Sequence, residues 1–286
     1  MKIPIILDGP MGTEIERRGG DTRAPLWSSK ALLDDPDLVR EIHLDFISAG
    51  AEVITTNTFR TQERTFNKVG LKNHGKIMTQ LAVELAHEAR KKAQKSIKVA
   101  GSIAPLEDCY SPELVPDFGH LKREHSDMAK WLNDTGIDIF LIETMNSVKE
   151  AKTAVDITNE YDLPIWLGMT VNHEGNLLSG ETWTNLLKSV SDIPEIIFVN
   201  CSSQIGTTNA LQQIIKYRQK HTIKFELGFY PNYLFELEEG RSIVELRNEF
   251  HQILDLWMTY QPKVVGTCCG ATPEDTKYLA NLFNQF

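Results

Sequence analysis

The chain has 286 residues, 41% of them hydrophobic and 24% charged, with a net charge of -9. That composition supplies ample material for a globular core, and the acidic excess argues against nucleic acid as a partner. No run is apolar and long enough to span a bilayer, so no membrane partner is expected, and four cysteines in a chain of this length do not make a disulfide scaffold.

The opening MKIPIILDGP holds a first strand, Ile3 to Leu7. Its apolar run is too short for the core of a signal peptide, and a cytoplasmic protein is expected. Asp35-Pro36-Asp37 opens a helix with Leu38, Ile42, Phe46 and Ile47 at helical spacing and Gly50 as its stop. Val53 to Thr56 reads as the second strand and His74 to Lys95 as a helix. The third strand is Val99 to Ile103, with a helix over Phe118 to Thr135. Ile137 to Ile142 is the fourth, followed by a helix from Val148 to Tyr161. Ile165 to Val171 is the fifth, with a short helix near Thr184 to Val190. The sixth, Ile196 to Asn200, leads to a helix over Thr208 to Lys220. The seventh, Ile223 to Phe229, leads to a helix over Ser242 to Tyr260. Val264 to Thr267 is the eighth, and Pro273 to Phe286 closes the chain.

Strand-then-helix alternation repeated eight times predicts an α/β fold: a single eight-stranded parallel βα barrel of the TIM type, with residues 1–286 forming one domain. An open doubly wound sheet is the alternative, but no glycine-rich dinucleotide loop follows the first strand. Active sites of βα barrels lie at the C-terminal strand ends. The unusual polar residues fall there: Asp8, Asn57, Glu143, Asn200 with Cys201, and the adjacent pair Cys268 and Cys269.

Neighbouring side chains of a regular strand point to opposite faces. Cys268 and Cys269 can therefore converge only where the strand has ended, and the flanking Gly266 and Gly270 permit a turn. With Cys201, they make three thiols at strand ends, a set suited to a metal with one position left open for substrate. Sulfur ligands favour zinc or copper(I), and Zn2+ is the expected cofactor. Such a site favours a thiolate nucleophile over carbonyl activation, because three thiolates already neutralise the cation. Cys109, in EDCYSPE, has no partner pattern and reads as a loop or packing residue.

Five segments resemble the homocysteine S-methyltransferase family: ILDGPMGTEIERRG at Ile6 to Gly19, AGAEVITTNTF at Ala49 to Phe59, ETM at Glu143 to Met145, VNCSS at Val199 to Ser203 and GTCCGATPE at Gly266 to Glu274. The resemblance covers almost the whole chain in the same order. It implies a zinc-dependent βα barrel that transfers a methyl group to the sulfur of homocysteine, giving methionine. It implies Cys201, Cys268 and Cys269 as zinc ligands and as the catalytic centre that activates the substrate thiol. Asp8 and Glu143 match the carboxylates that hold the amino acid ammonium, and the backbone from Gly9 to Met11 would meet its carboxylate. Asn200, at the same strand end as Cys201, is grouped with the substrate-binding residues. Two departures stand out: Pro10, which removes a backbone donor, and Thr267, where glycine is frequent.

The expected partners are small molecules, homocysteine and a methyl donor. Among members of the family, the length resembles the compact ones that use S-methylmethionine or S-adenosylmethionine. Leu26-Trp27-Ser28 resembles that branch too, and the lack of a glycine-rich nucleotide loop favours the former donor. Trp27, Phe59, Tyr110 and Trp183 are candidate walls for a cationic sulfonium. Two other readings stay open. One is a zinc hydrolase on the same barrel, against which the absence of HxH and HExxH patterns counts. The other is a non-catalytic thiol-binding or redox protein, which a CxxC motif would favour, and none is present.

Overall fold

A computed structural model describes residues 3–222, 224–234 and 240–283. Eight strands lie in one sheet in the order β1-β8-β7-β6-β5-β4-β3-β2. They are β1 (Ile5–Ile6), β2 (Val53–Thr55), β3 (Lys98–Ile103), β4 (Ile139–Met145), β5 (Ile165–Met169), β6 (Ile196–Asn200), β7 (Glu226–Tyr230) and β8 (Val264–Val265). Every pairing is parallel. A parallel bridge between Leu7 and Val53 joins β1 to β2, so the sheet returns on itself as a barrel.

Each strand leads to an outer helix: α1 (Pro36–Ala49), α2 (Gly75–Ala93), α3 (Phe118–Asp134), α4 (Val148–Thr158), α5 (Trp183–Val190), α6 (Gln204–Arg218), α7 (Ile243–Met258) and α8 (Pro273–Phe283). Their starts follow from local chemistry. The Asp35 side chain accepts from Leu38 N and Pro36 fills the first turn of α1, which ends at Gly50 with φ of 113°. Ser147 and Ser203 cap α4 and α6, and Ser242 forms a reciprocal capping box with Glu245 at α7.

Two apolar layers result. Leu7, Val53, Leu141, Trp166, Phe198 and Tyr230 belong to the cluster that fills the barrel. A larger cluster, including Phe46, Ile54, Phe140, Phe229 and Trp257, lies between strands and helices. The period-two alternation is visible in β7, where Tyr230 belongs to the first layer and Phe229 to the second. At Gly228 an added Cβ would sit 2.3 Å from the Phe198 ring, and at Gly168 another would sit 2.5 Å from Asn200 Oδ1. These two glycines leave the space that larger inward side chains occupy.

Several boundaries differ from the expected ones. Strand β4 continues past Ile142 to Met145, with a register shift there and Thr144 in the left-handed region at φ of 57°. Helix α6 starts at Gln204, four residues earlier than periodicity suggests, because Ser203 caps it. Strand β8 is only Val264–Val265, so Gly266 and Thr267 already lie beyond it. The expected starting residue of the seventh strand, Ile223, and the last three residues of the closing helix, 284–286, lie outside the described residues. Short helices at Met11–Arg17, Ala31–Asp34 and Glu63–Asn67 were not expected. No helix among the described residues is long and apolar enough to cross a membrane.

The Gly228→Ala substitution should force the Phe198 ring aside and destabilise the fold by about 1–3 kcal/mol. A shift of the denaturant midpoint at unchanged slope checks this.

Candidate active site

The C-terminal strand ends open into a cavity of about 630 Å³, lined by Asp8, Glu143 and all four cysteines among others. That volume is typical of small-molecule sites. Cys201, Cys268 and Cys269 have sulfurs within 4.8 Å of one another. The Cys201 and Cys269 sulfurs are 3.8 Å apart, and those of Cys268 and Cys269 are 3.9 Å apart.

Irregular backbone makes this convergence possible. Cys201 follows β6 in the left-handed region, with φ of 47°. The segment leaving β7 then ties both sulfur-bearing ends together. Cys201 N donates to Tyr230 O (3.0 Å), Cys268 N to Pro231 O (2.8 Å), and Tyr233 N to Cys269 O (2.9 Å). Gly270 turns the chain at φ of 85° and donates from its backbone N to Thr13 Oγ1 at 3.1 Å. Gly266 serves differently from the expectation: a Cβ there would lie 3.0 Å from Leu7 Cβ, so it allows close packing and not a turn.

The three thiols are shifted in opposite directions. Hydrogen bonds from Cys268 and then Cys269, with others from Tyr110 and Asn232, hold the Cys201 thiol far below its ordinary range. As the donors of those bonds, Cys268 and Cys269 are pushed up, with the hydrogen bond to Cys201 the largest cause for each. Tyr110 hydroxyl stands 3.2 Å from Cys201 Sγ, and Asn232 Nδ2 donates to the same sulfur at 3.5 Å. Cys109 is buried in the cavity wall, its thiol raised chiefly by that burial.

Two buried acids face the same cavity. Asp8 Oδ2 accepts from Thr55 N (2.7 Å) and its Oδ1 from Thr55 Oγ1 (2.8 Å). Glu143 accepts from the Ser102 hydroxyl and, at 3.1 Å, from the Tyr230 hydroxyl. Burial is the largest influence on both, raising Asp8 to about 8 and Glu143 to about 7. A cation entering here would restore the ionised forms.

Gly9 and Met11 line the cavity, and a Cβ on Gly9 would lie 2.5 Å from the Phe46 ring. Pro10 gives no side-chain cap to the helix Met11–Arg17. The helix geometry leaves its first N–H groups without intrahelical acceptors. Asn200 is fully buried and outside the cavity lining; its Oδ1 accepts from Thr144 N (3.1 Å) and its Nδ2 donates to Thr144 Oγ1 (2.8 Å). It holds the left-handed residue that follows Glu143. Asn57 lines the cavity, with its Nδ2 donating to Ser28 O at 2.9 Å.

Of the expected aromatic walls, Trp27, Phe59 and Tyr110 line the cavity. Trp27 and Phe59 meet edge to face with centroids 5.4 Å apart. Trp183 does not line it, being buried with its indole N–H on Gly175 O at 2.9 Å. Sequence reasoning missed Arg60, Asn232, Thr55, Ser102 and Tyr230. Position alone could have drawn attention to Thr55 and Arg60, which flank the end of β2.

Clustered thiols beside buried carboxylates at the mouth of a βα barrel define an enzyme of sulfur chemistry. The comparisons narrow this. Residues 5–283 match the family described as homocysteine S-methyltransferase. The homocysteine S-methyltransferase of Escherichia coli is 28% identical over 301 residues, covering 95% of this chain and 92% of that protein. A selenocysteine methyltransferase of Astragalus bisulcatus is 27% identical over 308 residues, covering 94% and 89%. The metallated crystal form of the Escherichia coli homocysteine methyltransferase MmuM superposes with a TM-score of 0.83 at 26% identity, covering 98% of this chain and 96% of that one. The chain belongs to the homocysteine S-methyltransferase family and is a methyltransferase.

The raised acids predict a pH dependence. A carboxyl whose folded pKa lies above its unfolded value stabilises the fold below the unfolded pKa and loses that contribution as pH rises to the folded value. For Asp8 the window runs from 3.8 to about 8. The unliganded protein should therefore melt at lower temperature as pH rises through that window. Asp8→Asn, which keeps both Thr55 partners, should flatten the decline; thermal melting of both proteins across this range checks it.

Proposed function

We propose that the protein is a zinc-dependent methyltransferase that moves a methyl group from a sulfonium donor to the thiolate of L-homocysteine, forming methionine. The donor is S-methylmethionine or S-adenosylmethionine. The spacing of the sulfurs carries this reading. Thiolates about 2.3 Å from a tetrahedral zinc stand about 3.8 Å apart, and two of the pairs are at 3.8 and 3.9 Å. Cys201, Cys268 and Cys269 would hold the zinc, which when bound would favour the ionised form of the substrate thiol.

The chain's own residues supply binding and alignment. Asp8 and Glu143 take the homocysteine ammonium, whose charge offsets the unfavourable burial of both acids. The segment Gly9 to Met11 and the first turn after it present backbone N–H groups to the carboxylate; Pro10 removes one donor and leaves those from Met11 onward. Gly9 lets this segment cross close over Phe46. Asn200 contributes at one remove, by fixing Thr144 next to Glu143.

The step is an in-line displacement. The homocysteine thiol releases its proton to solvent water through the open cavity, and a lone pair of the resulting thiolate attacks the donor methyl carbon. The bond from that carbon to the donor sulfur breaks, its electron pair remains on the departing sulfur, and the sulfonium becomes a neutral thioether. Alignment supplies much of the acceleration, and no general base is needed at the methyl carbon. Trp27 and Phe59 offer aromatic surface to the cationic donor.

The rival readings find less support. No histidine lines the cavity among the described residues, whereas a zinc hydrolase would ordinarily use them. A redox protein does not account for two buried acids placed beside the thiols.

Replacing Cys268 by Ala should remove both zinc, read by elemental analysis, and methionine formation from homocysteine. A metal-free variant of full activity overturns the mechanism. Parallel assays with S-methylmethionine, S-adenosylmethionine and betaine identify the donor, and activity with betaine alone overturns the sulfonium assignment. Selenocysteine belongs in the acceptor series, given the named activity of the Astragalus relative.

A further inference from the structure

Arg60 lies in the segment between β2 and the short helix Glu63–Asn67, and it lines the cavity. Its guanidinium sits 4.8 Å over the Phe59 ring, and its Nη1 donates to Pro105 O at 2.9 Å. Its own carbonyl accepts from Ser29 Oγ at 3.2 Å, which fixes the backbone. The side chain is thus held at both ends.

What it lacks is an anion. Among the described residues no carboxylate pairs with Arg60. None of the neighbouring acids Glu107, Asp108 and Glu150 pairs with it, and Glu150 accepts from Leu106 N and His125 Nε2 through its Oε1. Glu107 pairs with Arg64 and Lys68, and Asp108 accepts from Tyr110 N and Ser111 Oγ. Burial is the leading influence on the guanidinium and pulls its pKa down. A guanidinium has five N–H donors arranged as a fork that matches a carboxylate, and one of them is occupied. A largely buried cation with spare donors, stacked on an aromatic ring in the wall of a binding cavity, is the complement of a bound anion.

We propose that Arg60 anchors the carboxylate of the methyl donor, so that the cavity wall of Trp27, Phe59 and Arg60 is a subsite for a zwitterion bearing an onium methyl group and a carboxylate. The inference rests on the methyl-transfer reading and adds the means of donor selection. The two bound amino acids then have separate recognition. Homocysteine engages the buried acids Asp8 and Glu143 and the Gly9–Met11 backbone, and the donor engages the guanidinium and aromatic wall. Donors without a carboxylate are discriminated against because they leave Arg60 buried without an anionic partner.

The test compares the zinc-loaded wild type with Arg60→Met and Arg60→Lys. S-methylmethionine, S-adenosylmethionine and the carboxamide analogue of each serve as donors, and the homocysteine KM is measured separately. The wild type should prefer carboxylate over carboxamide by roughly 10- to 100-fold in kcat/KM. Arg60→Met should abolish that preference while leaving the homocysteine KM and zinc content unchanged, and Arg60→Lys should retain part of it. Calorimetric titration of the same compounds reads the same contrast in affinity without turnover. If the wild type binds but does not methylate, the proposed function fails while the Arg60 inference stands on the titration. Equal carboxylate preference in wild type and Arg60→Met, or a rise in the homocysteine KM in place of the donor's, overturns the inference.

Discussion

The site depends on the backbone hydrogen bonds that leave β7. This strand stands between β6 and β8 in the sheet, and Cys201 and the cysteine pair come from those two neighbours. Tyr230 O, Pro231 O and Tyr233 N take up Cys201 N, Cys268 N and Cys269 O respectively. Parallel strands cannot bring two consecutive side chains to one point while they remain regular. The chain leaves regular geometry at Cys201 and again at Gly270, and only the latter has a residue suited to positive φ. Holding Cys201 in that region costs about 1–2 kcal/mol, which the surrounding hydrogen bonds must offset.

Electrostatics divides the cavity in a way that suits the reaction. One part gathers Asp8, Glu143 and the thiol cluster. Without a ligand, burial disfavours the ionised form of both acids, whose pKa values rise to about 8 for Asp8 and about 7 for Glu143. The other part has Arg60 and aromatic surface. An amino acid that brings an ammonium relieves the first, and one that brings a carboxylate relieves the second. Binding therefore improves the state of the protein's own buried groups, in addition to making contacts.

Much of this was legible in the sequence because the strands of a barrel are short apolar runs with polar residues at one end. That pattern located Asp8, Glu143, Cys201 and the cysteine pair, which the fold brings into one cavity. Other features leave no such mark. A left-handed Thr144 has no signature, so the bulge that extends β4 past Glu143 was invisible. Ser203 as a cap was overlooked because apolar periodicity in α6 is weak near its start. Cys109 reads as a loop or packing residue and is one, buried in the loop after β3, but its place in the cavity wall has no mark in the sequence. The approach of Tyr110 to Cys201 joins residues on loops after β3 and β6, a tertiary relation that spacing cannot express. Asn200 stood at a promising strand end, but its side chain turned to the neighbouring backbone.

Tyr230 has one further implication. Its carbonyl receives Cys201 N, and its phenol reaches across the barrel to Glu143. One residue therefore meets the backbone at the sulfur cluster with its carbonyl and one of the acids with its phenol. The backbone of one cysteine and the orientation of one acid are thereby both referred to a single residue at the end of β7.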